Sequence, residues 1–83
     1  MIEAREISQV VRTADLCGYD LDEDRVGAFV SDRVAAMGPT ARQVFQTSGR
    51  AHRSRLERMS AVERTASCAL QERVARDFGL LRE

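Results

Sequence analysis

Between Arg50 and Phe78 the chain contains neither glycine nor proline, and no other feature restricts its fold as strongly. Those two residues are the strongest local interrupters of regular structure, so a run of this length without them reads as one helix of roughly 43 Å at about 1.5 Å per residue. Its apolar stripe is Leu56, Met59, Val62, Ala66, Leu70, Val74 and Phe78. A second line of small residues, Ala61, Thr65, Cys68 and Ala75, with Ala69 between the two, would let another helix approach closely. Ser60 and Glu63 have capping-box spacing and mark the one place where the rod could break.

The rest of the chain is also helical in pattern. Ile7, Val10, Val11, Ala14 and Cys17 recur at spacings of three and four, which gives a helix over residues 2–17 ended by Gly18 at a left-handed C′ position. Asp22 reads as the N-cap of a second helix whose face is Val26, Phe29, Val30, Val34 and Met37, and Gly38-Pro39 stops it. Gly27 inside it costs about 1 kcal/mol relative to alanine. Thr40 and Gln43 have capping-box spacing before a short third helix of residues 40–48, closed by Gly49. Gly79 fits C′ of the last helix and Leu80 its C″. The expectation is therefore an all-α single domain over residues 1–83, a small helical bundle made of a helical hairpin (2–37), a short helix and a long C-terminal helix.

At 83 residues a domain buries only about 60–65% of its unfolded surface, so a further source of stability is expected. Cys17 and Cys68 stand far apart, outside any Cys-x-x-Cys pair, and read as reduced thiols of a cytoplasmic protein. With His52 the single histidine, zinc ligands are too few, and no cofactor is expected. No apolar run approaches the roughly 20 residues of a membrane span, so no membrane is expected as partner. Self-association remains. A rod of roughly 43 Å is long for a globule whose radius of gyration should be about 12 Å, which points to a homodimer through Ala61, Thr65, Cys68, Ala69 and Ala75.

Asp20, Asp22 and Asp24 match the first ligand positions of a calcium loop. Arg25 stands where that loop needs glycine, and Ser31 where it needs a bidentate glutamate, so the helix cap explains the same residues better. Net charge is zero but unevenly laid out: residues 1–32 carry eight acids against three arginines, and residues 33–58 six arginines against one glutamate. One half can therefore dock on the other, in the same chain or in a neighbour. The chain has no lysine, as coding bias in a GC-rich genome would produce, which weakens any argument that arginine was selected for recognition.

The basic stretch 47–59 supplies the candidate partner-binding or nucleic-acid-binding residues Arg42, Arg50, His52, Arg53, Arg55 and Arg58. A DNA-reading helix-turn-helix would use Gly49 as its turn glycine. Phe45 stands where such a motif needs a small residue, and Arg55 where it needs an apolar one. No aromatic residue is interleaved for base stacking, which leaves sequence-blind phosphate contact. His52, among arginines, is expected to be exposed, with a lowered pKa. No nucleophile–base pair, phosphate loop or Schiff-base lysine is present, so no catalytic residue and no small-molecule substrate is assigned. These features imply a non-enzymatic protein that works by macromolecular contact, an adaptor, inhibitor or regulator of a larger protein. A DNA-binding regulator using residues 42–58 is the alternative.

Overall fold

The computed structural model describes residues 2–82, with side chains from Ala4 to Arg82. Helix α1 (Ile2–Cys17) is followed by α2 (Glu23–Phe29), α3 (Pro39–Arg58) and α4 (Ala61–Asp77). Helix α2 widens into a π turn, Val30–Val34, and tightens into a 3-10 turn, Ala35–Met37, before Gly38. Among the described residues the fold is all-helical, with one isolated antiparallel bridge between Leu21 and Leu81.

Local chemistry sets several of these boundaries. Gly18 takes φ +80°, and the amides of Gly18 and Tyr19 both donate to the Ala14 carbonyl, closing α1. Asp22 Oδ1 accepts from the amides of Asp24 and Arg25, so its carboxylate serves the start of α2. At the far end, Gly79 (φ +72°) donates to Arg76 O and Leu80 to Ala75 O, the paired bonds of a Schellman cap. Gly27 lies in α2, and a methyl group there would meet nothing within 4 Å. Gly27→Ala should therefore raise stability by about 1 kcal/mol, read as an increase in the urea midpoint.

The expected third and fourth helices are divided differently. Helix α3 begins with Pro39 at its first turn, Gly38 as N-cap, and Thr40 inside it. It then runs straight through Gly49, which is buried against α1. The Ser8 hydroxyl donates to Phe45 O and accepts from the Gly49 amide, placing α1 against the α3 backbone. A Cβ on Gly49 would stand 2.3 Å from Arg12 Cγ, 2.6 Å from Ser8 O and 2.7 Å from Ser8 Oγ. Gly49 is thus a contact point between two helices and not a terminus.

The break falls at Met59 and Ser60, both extended, so the uninterrupted rod over residues 50–78 does not form. Ser60 Oγ accepts from the Glu63 amide, and the Glu63 carboxylate reaches back to the Ser60 amide. On the other side of the break, Arg64 donates to Glu57 O and to Leu56 O, which also accepts from the Met59 amide, so the carbonyls at the end of α3 are satisfied. Neither residue at the break needs a positive φ, so no glycine is required. The radius of gyration is 12.3 Å and the longest extent 36 Å, shorter than the expected rod. The argument for a dimer from rod length falls with it.

Folding back brings α4 against α1. Ala4, Ile7, Val10, Val34, Leu56, Ala75 and Leu80 are buried. Tyr19 packs with Val10, Ala75 and Leu81, and its hydroxyl donates to Val10 O at 2.7 Å. Desolvation pushes the phenol up to about 12. The segment after Gly79 pairs with the α1–α2 loop: Asp22 donates to Leu80 O and Arg82 to Asp20 O. Phe29 and Phe78 meet edge to face, with the Arg33 guanidinium over the Phe29 ring.

Cys17 and Cys68 are joined in a disulfide, with Cα atoms 5.2 Å apart. This corrects the expectation of two reduced thiols and removes the support it lent to a cytoplasmic location. The reason is tertiary: the end of α1 lies beside the middle of α4, a proximity that a separation of 51 residues conceals. No helix among the described residues is long and apolar enough to cross a membrane.

Candidate functional site

Three surfaces could carry function: the arginines of α3, the outer side of α4, and the groove where the disulfide lies. At about 100° per residue, Arg42, Arg50 and Arg53 fall on one flank of α3 and Arg55 and Arg58 on the opposite side. The six residues assigned to the basic segment therefore do not form one patch. Arg53 is engaged within the chain, donating to both carboxylate oxygens of Asp15 at 2.8 and 3.2 Å and to the Arg12 carbonyl. Hydrogen bonds from Arg53 hold the Asp15 carboxyl below its ordinary range. This pair is one point where the acidic and basic parts of the sequence meet. Arg55 and Arg58 occupy the last turn of α3, where positive charge complements the negative end of the helix dipole. Arg42, Arg50, Arg55 and Arg58 are exposed and have no acidic partner among the described residues. A helix-turn-helix hinged at Gly49 is excluded, because no turn occurs there.

His52 points inward and is only half exposed. It pairs through Nε2 with Gln71 Nε2, and the buried Thr13 hydroxyl is shared between Gln71 Oε1 and Gln9 O. Burial lowers the imidazole pKa from 6.5, and the nearby Arg55 charge lowers it further. The direction matches the expectation, but the main cause is desolvation, in a half-buried ring. A neutral ring can accept from the Gln71 amide, and a protonated one cannot. Since the folded state favours neutral His52, its contribution to stability is present above 6.5 and lost as pH falls through the folded value. The urea midpoint should drop as the pH falls below 6.5, and His52→Gln should flatten that dependence.

The outer side of α4 has a different character. Val62 and Leu70 are 81% and 71% exposed, and the small residues Ala61, Thr65, Ala66 and Ala69 beside them are exposed too. Of the residues assigned to a dimer interface, Ala61, Thr65 and Ala69 lie on this surface. Ala75 is fully buried in the protein's own core and Cys68 is bonded to Cys17, so neither is available to a second copy. The stripe expected to be internal is split in the same way: Leu56 is buried, while Val62, Ala66 and Leu70 face outward. The break at Ser60 resets the helical phase, and the residues that turn inward are Cys68, Gln71, Ala75 and Phe78.

The third surface is an open groove of about 320 Å³ lined by Cys17, Tyr19, Arg64, Thr65, Cys68 and Glu72, among others. Both cysteines of the disulfide border it. Among the described residues no cluster of three or more His, Cys, Asp or Glu side chains is arranged to hold a metal ion. Compared with models of known protein families, with curated proteins and with solved structures, the chain matches none.

Proposed function

We propose that this protein works by contact with another macromolecule and not by catalysis, as a small adaptor, inhibitor or regulator, and that the outer face of α4 is its contact surface. The observation that carries this reading is the exposure of Val62 and Leu70 on one side of a single helix, with Ala66 between them on that face. Apolar side chains this exposed gain by finding a partner surface. We assign a second copy of the chain as the first occupant. In an antiparallel pairing about Ala66, the middle of the face, each Leu70 lies over the other copy's Val62 and the two Ala66 residues face each other, so the patch is complementary to itself, as a twofold interface requires. One helix pair falls at the low end of interface sizes, below about 1,200 Å² in total, so the dimer should exchange at micromolar concentrations.

Light scattering across a concentration series tests this. The mass should rise from 9.3 kDa towards twice that value. Leu70→Glu should hold the protein at the monomer mass with unchanged helicity, because the side chain contributes nothing to the monomer core. A constant monomer mass up to millimolar concentration would refute the homodimer.

One observation supports a second reading. Arg42, Arg50, Arg55 and Arg58 are exposed without acidic partners among the described residues, and such groups can neutralise phosphates without reading bases. Titration of duplex DNA decides it. Affinity that falls steeply with salt and is lost in Arg50→Ala with Arg55→Ala supports a DNA-binding regulator, and no binding at low salt refutes it.

A further inference from the structure

We propose that the Cys17–Cys68 disulfide is a reversible latch that holds the N-terminal half of α4 on the body of the protein, and that dithiol reductants open it. From Ala61 to Leu70 no residue is buried, and the first buried side chain of α4 is Gln71. Beyond that point the attachment is dense: Gln71 to Thr13, Ala75 against Val10 and Tyr19, and Leu80 and Leu81 in the core. Before it, the hydrogen-bonded and covalent links to the rest of the chain among the described residues are the Arg64 bonds to the end of α3, which belong to the turn itself, and the disulfide. The covalent bond therefore stands in for the apolar burial that this half of the helix lacks.

The bond is also within reach. Both cysteines are half-buried and border the open groove, so a thiolate can approach from solvent. The exchange is balanced: the two sulfurs of a dithiol join in a new S–S bond as the Cys17–Cys68 bond breaks. Two electrons pass to the cysteines, and the two thiol protons end on their sulfurs. The product is accommodated, because Cys17 Sγ lies 3.9 Å from Gln71 Oε1, an oxygen able to accept a weak S–H bond that the disulfide form cannot donate. Release then starts at the outer half of α4 and stops where Gln71 anchors the helix. This inference does not depend on what the outer face of α4 contacts.

Amide hydrogen exchange on the whole chain at low temperature, with and without dithiothreitol, tests the latch. In the reduced protein, amides of residues 61–70 should exchange at least about tenfold faster than in the oxidised one and well ahead of those of α1 and of residues 71–80, which still exchange only by global unfolding. Removing the reductant and reoxidising should restore the first pattern. The double variant Cys17→Ser with Cys68→Ser should show the fast pattern whether or not reductant is present. Unchanged exchange in residues 61–70 after complete reduction overturns the proposal. Loss of protection to one common level over the whole chain overturns it as well, since the bond would then secure the entire fold and not one half-helix.

Discussion

Gly49→Ala is expected to lower stability by about 2 kcal/mol, although alanine gains about 1 kcal/mol over glycine inside a helix. The added methyl would meet the Ser8 carbonyl at 2.6 Å, and that oxygen belongs to the backbone of α1, so relief requires the two helices to separate. Arg12 Cγ, at 2.3 Å, can turn away at little expense. The measurement is the urea midpoint with constant slope. Adding Ser8→Ala should recover only a small part of the loss, because it removes the hydroxyl contact and leaves the carbonyl in place. The comparison with Gly27→Ala is informative: the same substitution in two helix interiors should change stability in opposite directions. Equal effects at both positions would mean that α1 and α3 do not cross at Gly49.

The second large effect belongs to the disulfide. A cross-link across a separation of 51 residues restricts the unfolded chain by about 4 kcal/mol on the chain-entropy account. For a domain of this size that corresponds to a fall in Tm of about 15–30 °C on reduction. Circular dichroism in the oxidised and reduced states reads it directly. A shift of only a few degrees would show that the reduced, unfolded chain is already restricted, or that the two cysteines are not joined in solution.

The parts of the fold legible in the sequence are those whose cause is local. The end of α1 at Gly18, the Asp22 cap, the stop at Gly38-Pro39 and the Gly79 cap each depend on residues within one or two turns. Gly49 failed that rule because its role is set by Ser8, 41 residues away. A glycine that ends a helix and one that admits a neighbouring helix look alike until the neighbour is known. At Ser60 the local signal was present and was outweighed by the absence of glycine and proline, which restrict a break less than they appear to when a serine–glutamate capping box and an arginine can satisfy both helix ends. The basic segment was visible as composition, but its use was not. Arg53 and His52 find their partners at Asp15 and Gln71, far off in sequence, and only the fold withdraws them from the exposed set.

The pairing of residues 80–82 with the α1–α2 loop bears on how the chain is made. Tyr19 and Val10 are covered by Ala75 and Leu81, which the ribosome adds more than fifty positions later. During synthesis the first helix therefore leaves the exit tunnel with its sticky side uncovered and stays so until the last turn of α4 has followed it. Completion of this domain accordingly waits for its last residues to clear the tunnel, and a nascent chain stalled before Leu80 should be the form most readily captured by chaperones.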